Sequence, residues 1–198
     1  MSMNELAKEF YLKQFKDHKA TLTDYGNIKI LDFKKPDSNE GRIRFLFEED
    51  YCRLHITGDY GDLIACNYYN MTYDKFPGFL HDVGYFEEKI SCHSRDLYVY
   101  DEEQVAKDLR KELESIGIID VIDENVPYED FENILSDVME DFSGDYGVNG
   151  RGLANLLEID EDAYFYAHEL GRKRTMILDI YFLAFELAQK QLDNSKEM

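Results

Sequence analysis

Hydrophobic and polar positions repeat with two different periods along this chain, and the change of period divides it. Residues 4 to 18 put Leu6, Phe10 and the Phe15 region on one helical face, with Asn4 suited to cap the start. The period then falls to two. "GNIKILDF" sets Ile28 and Ile30 on one side, and "RIRFLF" sets Ile43, Phe45 and Phe47 opposite Arg42 and Arg44. "YCRLHIT" sets Cys52, Leu54 and Ile56 opposite Tyr51, Arg53, His55 and Thr57, and "DLIACNYY" reads as its return strand. Turn chemistry in "KPDSNEG" and "TGDYGD" separates these runs. The pattern predicts an antiparallel sheet of about four strands over residues 26–69.

From Asp101 the spacing becomes helical. "DEEQVAKDLRKELESIG" carries Val105, Leu109, Leu113 and Ile116 on one stripe, with Asp101 and Gln104 spaced as a capping box and Gly117 as the stop. "YEDFENILSDVMEDF" carries Phe131, Ile134, Leu135, Val138 and Phe142 on one face. "DEDAYFYAHELGRK" reads as a shorter helix. "RTMILDIYFLAFELAQKQL" is a strongly apolar last helix offering Ile177, Ile180, Tyr181, Ala184, Leu187 and Ala188 for packing. There is no internal repeat and no coiled-coil seam. The expected class is α+β: an N-terminal helix, an antiparallel sheet of about four strands, then a C-terminal helical cluster. Residues 1–100 would hold the first helix and the sheet. Residues 101–198 would form an acidic helical region packed on them in one compact unit.

Composition sharpens this. The 198 residues are 44% hydrophobic and 14% aromatic, enough to bury a core and too apolar for wholesale disorder. The net charge is −20, from 42 acidic and 22 basic residues. Phosphates would be repelled, so direct nucleic-acid binding by a broad basic surface is not expected, nor is attachment to anionic membranes. Residues 101–145 hold 16 acidic and 3 basic residues, a net of −13 in under a quarter of the chain. The N-terminus has no apolar signal core, and no run of about 18 apolar residues exists to cross a membrane. Three cysteines, an odd number, point to a reduced compartment and a cytoplasmic location rather than a disulfide framework.

Several residue sets carry possible chemistry. Zinc wants four soft or borderline ligands, and Cys52, Cys66, Cys92 and His93 form the candidate structural site, with His81 or His55 as alternatives. No C-x-x-C or H-x-x-x-H knuckle is present, and buried free thiols would read the same way. The hairpin loop decides the geometry. A three-residue loop over Asp59–Gly61 makes Cys52 and Cys66 diagonal neighbours on one face, while a two-residue turn moves Cys66 to the His55 face. Asp59 and Asp62 could bind a hard cation, although Gly-Asp-Tyr-Gly is also ordinary turn chemistry. "GDYGVNGRG", Gly144 to Gly152, lacks the strand and Lys-Ser/Thr pair of a phosphate loop and reads as a flexible connector. Carboxylates at Glu102, Glu103, Glu129, Asp130, Asp137, Glu140 and Asp141 recur along two helices at intervals comparable to backbone phosphates, as a DNA mimic requires; a solvated helix face would look alike. Arg172 to Arg174 form a compact basic patch, read as a local partner for the acidic helices or as exposed turn chemistry.

One resemblance rests on four segments in order: "RLHITGDYGDLIACNYYN", "DVGYFEEKISCHSRD", "YVYDEEQVAKDLRKEL" and "ILDIYFLAFELAQKQL". Across roughly residues 42 to 192 the chain resembles a group of small phage and mobile-element proteins of Firmicutes. The matching positions are Thr57 to Gly61, Tyr85, Phe86, Lys89 and Cys92, with "FELAQKQL" a looser match. Some relatives of such phage proteins are anti-CRISPR proteins directed at Cas9-type effectors, and similar inhibitors hold a structural zinc. The resemblance therefore implies a non-enzymatic inhibitor working in the host cytosol. It would occupy the positively charged channel of a Cas9-type host defence nuclease and block DNA loading. Two other classes compete: a small metal-dependent enzyme built on His55, Asp59, Asp62 and Cys66, and a phage adaptor protein without a defence role.

Overall fold

A computed structural model describes residues 3–118 and 129–196. In chain order the elements are α1 (Glu5–Gln14), β1 (Lys19–Asp24), β2 (Ile28–Lys34), β3 (Ile43–Glu48), β4 (Arg53–Gly58), β5 (Leu63–Cys66), α2 (Val83–Glu87), β6 (Ile90–His93), β7 (Tyr98–Tyr100), α3 (Glu102–Ser115), α4 (Glu129–Val138), α5 (Gly150–Ile159), β8 (Arg172–Arg174) and α6 (Ile177–Lys196). The fold is α+β, with an N-terminal helix, an antiparallel sheet and C-terminal helices. The sheet has six strands in the order β1-β2-β3-β4-β5-β6, not about four. The two strands missing from the sequence reading are its edges. "KATLTD" alternates only two apolar side chains, Ala20 and Leu22, and "ISCH" is four residues long with none of them buried, so neither run stands out from its polar surroundings. Chain contacts fall into two compact units: Met1–Leu97 with Met176–Met198, and Tyr98–Thr175. The last helix, grouped in the sequence with residues 101–198, packs on β1 and β2 of the first unit.

In the first unit, alternation puts Leu31, Phe33, Ile43, Phe45, Phe47, Leu54, Ile56, Leu63 and Ala65 on one face, all buried. Phe185 of α6 fills the centre of this face, with ring centroids 5.3 Å from Phe45, 6.1 Å from Phe47 and 4.8 Å from Phe76. Edge-to-face pairs of this kind add about 0.5–1.5 kcal/mol each beyond the area they bury. Gln191 closes the β1 end of the helix: its side chain accepts from Ala20 N at 3.0 Å and donates to His18 O at 3.0 Å. α1 starts as expected, with the Asn4 side chain accepting from Ala7 N at 2.8 Å. Its predicted face is only partly used. Phe15 is buried, while Leu6 and Phe10 stay 80% and 54% exposed.

In the second unit, Val105, Leu109 and Leu113 of α3 pack with Phe131 and Val138 of α4 and Leu156 of α5. Asp101 caps α3 through Gln104 N at 2.9 Å. The reciprocal half of the capping box is replaced: Asp101 N–H donates to Gly171 O at 2.8 Å, and the Gln104 amide donates to Asp108. The helix ends in a Schellman arrangement. Gly117 takes φ +73, its N–H reaches Glu114 O, and Ile118 N–H reaches Leu113 O. Ile116 is the C-cap of this turn and is exposed rather than part of the buried stripe. The basic run Arg172–Arg174 is β8, paired antiparallel with β7. Arg172 stacks 3.5 Å above the Tyr98 ring centroid, and Lys173 pairs with the Asp101 cap at 3.0 Å. That second contact holds the Asp101 carboxyl below the usual aspartate range.

Candidate functional site

The β4–β5 hairpin tip is held by contacts on every side. Gly58 takes φ +150, and a Cβ there would stand 2.1 Å from Arg42 O, so only glycine fits. The Asp59 carboxylate accepts from Gly41 N at 2.7 Å, which ties the tip to the β2–β3 loop. His18, buried in the same corner, donates from Nε2 to Gly41 O at 2.9 Å. The Tyr60 ring lies 5.9 Å from Tyr11 and 6.0 Å from Phe15. The Asp62 backbone is bonded twice to Ser94: its carbonyl accepts from Ser94 N–H at 2.9 Å, and its N–H donates to Ser94 Oγ at 2.8 Å. From α6, the buried Tyr181 hydroxyl donates between Tyr60 O at 3.1 Å and Gly61 O at 3.0 Å. Burial pushes that phenol well above its ordinary value, so it remains a donor. Asp59 is thus committed to a backbone amide, and among the described residues no further carboxylate or histidine is grouped with it and Asp62.

Loop parity disperses the cysteines. Ile56 pairs with Leu63, leaving a six-residue connection, an even number like the two-residue turn. Cys66 therefore faces Arg53 and shares the outer face with His55. Cys52 stands before β4 at φ +46, with its thiol 3.8 Å from Glu49 O. Cys92 pairs with Ile64 on the outer face, and its neighbour His93 points the other way, bonded to Arg95 O at 2.7 Å. His81 is exposed in the turn before α2. His55 Nε2 stands 3.4 Å from Glu48 Oε2, an ion-pair distance without the angle of a hydrogen bond. All three thiols are free. The structure does not bring Cys52, Cys66, Cys92 and His93 together: among the described residues no three His, Cys, Asp or Glu side chains are grouped to hold a metal.

The acidic candidates divide by use. Glu102 and Glu103 are exposed in the first turn of α3, where carboxylates favour the helix dipole. Asp137 and the neighbouring Glu132 are also exposed. Glu140 and Asp141 do local work instead. Glu140 pairs with Arg151 at 2.7 Å, and Asp141 Oδ2 accepts from Arg151 N at 3.1 Å, which caps α5. The side chains of Glu129 and Asp130 lie outside the described residues.

The glycine-rich segment is built into the second unit rather than being a flexible connector. Ser143 and Gly147 form a bridge, and Gly147 sits where a Cβ would meet the Tyr100 ring at 2.6 Å. Asn149 donates to Asp141 O and Gly147 O, both at 3.0 Å. At Gly152 a Cβ would lie 2.1 Å from Val138 O and 2.7 Å from Glu140 O. Glycines here serve close backbone approach, a requirement that depends on partners ten or more residues away.

The sheet of the first unit carries two features absent from the sequence reading. The first is a rim of tyrosines. Tyr25 follows β1, Tyr51 follows β3 and Tyr68 and Tyr69 follow β5, so antiparallel order delivers all four to one end of the sheet. They are 70%, 70%, 97% and 66% exposed. The second is a cleft of about 400 Å³ at the opposite end, lined in part by Asp32, Lys34, Arg42, Arg44, Thr57 and Asp62. Arg44 is fixed there by two bonds to Asp32, Nε to Oδ1 at 2.7 Å and Nη2 to Oδ2 at 2.9 Å. Compared with protein-family models, curated proteins and solved structures, the chain matches none.

Proposed function

We propose that this is a non-catalytic binding protein whose residues 98–175 engage a basic, nucleic-acid-binding surface of another protein. The observation that carries this is the placement of charge. The Tyr98–Thr175 unit holds 21 acidic and 7 basic residues, a net of −14 out of −20. Glu102, Glu103, Glu132 and Asp137 are exposed, and none of them forms an ion pair among the described residues. Opposed charge steers encounter and fixes register more than it adds raw affinity. A nuclease channel that holds a guide–target duplex is lined with cations, and a Cas9-type effector is the partner that the sequence resemblance implies. Occupation of that channel would exclude DNA by competition for the same cations.

The test is direct. Binding of the protein to a guide-loaded Cas9-type effector is measured at rising salt, with and without target DNA. The expected result is mutual exclusion with DNA and an affinity that falls steeply with salt. Replacing Glu102, Glu103 and Glu132 by Gln and Asp137 by Asn should weaken binding at least 10-fold and flatten the salt slope. An absence of competition with DNA overturns the proposal. So does binding that ignores these four substitutions yet fails when Tyr68 and Tyr69 are replaced by Ser, since the tyrosine rim would then be the contact.

A further inference from the structure

The outer-face cleft collects cations in a chain where carboxylates outnumber them by nearly two to one. Lys19 on β1 stands directly opposite Lys34 on β2. Arg42 precedes Ile43, the partner of Phe33, so it continues the same row beside Lys34. Like charges directly across a sheet are destabilising, and such rows are normally broken by a carboxylate. Here none intervenes: among the described residues neither Lys19 nor Lys34 has an ion pair, and Arg42 meets Asp59 only loosely, at 3.8 Å. The next row inward is Asp32, Arg44 and Thr57, paired in that order across β2, β3 and β4. Its guanidinium is oriented by Asp32 through Nε and Nη2, which leaves Nη1 outside that bidentate contact. Between the two rows the floor is backbone, because Ile43 points into the core. Asn39 and Asp62 complete the wall and add an amide and a carboxylate.

We infer that this cleft binds a small phosphate ester with a hydroxylated body, of the sugar-phosphate or nucleotide class. Lys34, Arg42 and Arg44 would hold the phosphate, since a preorganised guanidinium and an unpaired ammonium suit a compact dianion. The Asp62 carboxylate would accept hydroxyl protons from the body, and Thr57 and Asn39 offer both donors and acceptors. A volume of about 400 Å³ lies within the range of small-molecule sites. This site rests on residues 19–62 and is independent of the partner-binding surface proposed for residues 98–175.

Titration of the ¹⁵N-labelled protein with ribose 5-phosphate, inorganic phosphate and ribose tests it. Ribose 5-phosphate should give saturable shifts at Lys34, Arg42, Arg44, Thr57 and Gly58, phosphate should bind more weakly, and ribose should not bind. Lys34→Glu alters an exposed, unpaired side chain and should weaken ribose 5-phosphate at least 10-fold. Lys8→Glu on α1 makes the same change of net charge and should leave binding unaltered. The inference is overturned by a lack of saturable shifts, by equal weakening in both variants, or by inorganic phosphate binding as tightly as the ester.

Discussion

At the scale of single residues, the tip "TGDYGD" is explained by what each side chain reaches. Tyr181 is itself buried and contributes one hydroxyl to two carbonyls, those of Tyr60 and Gly61. Tyr181→Phe keeps the ring and its packing and leaves those carbonyls short of a donor. The expected loss is about 1–2 kcal/mol, read as a lower urea midpoint with an unchanged m-value; an unaltered midpoint would show that the bond is dispensable. Turn chemistry at Gly58 and Gly61 was legible in the sequence, because positive φ leaves a glycine signature. The Asp59 bond to Gly41 and the burial of His18 were not. Both depend on partners 18 and 23 residues distant, and a lone aspartate in a turn looks the same with or without such a partner.

At the scale of elements, the inner strands were legible and the edges were not. β3 and β4 bury every second residue, and β1 and β6 bury none. β2 changes phase along its length: Ile28 and Ile30, the pair the spacing singled out, lie on the outer face, and Leu31 and Phe33 face the core. Register was legible only as a pair of alternatives. One residue more or fewer in the β4–β5 connection carries Cys66 from one face to the other, and the observed six-residue connection places it beside His55. The glycine-rich segment misled for a different reason: glycine for flexibility and glycine for close approach are written identically. Gly152→Ala separates them. A Cβ forced to 2.1 Å from Val138 O must push α5 away from the end of α4. Overpacking of this kind costs about 1–3 kcal/mol or more. Amide exchange should accelerate across α4 and α5 in the variant; unchanged protection would mean the backbone approach is not tight.

At the scale of the whole molecule, charge is the dominant peculiarity. The Tyr98–Thr175 unit concentrates −14 within 78 residues, for which a compact radius of gyration is about 12 Å. At about 0.01 M salt the screening length is about 30 Å, so nearly every excess carboxylate in the unit repels every other. At about 1 M it is about 3 Å, and only neighbours interact. Salt also weakens the attractive pairs in the unit, such as Arg151–Glu140 and Lys173–Asp101. Exposed pairs of this kind contribute only about 0.2–1 kcal/mol each, and they are few beside the unpaired excess. Repulsion therefore outweighs attraction, and added salt should stabilise the fold. Raising sodium chloride from 20 to 500 mM is expected to raise the melting temperature by about 3 °C or more, roughly the shift that 1 kcal/mol produces in a chain of this size. Choline chloride should act equally, because screening depends on ionic strength and not on the identity of the cation. A melting temperature that falls with salt would refute the dominance of repulsion. A rise produced by sodium but not by choline would refute screening as its cause and place a specific cation among the carboxylates.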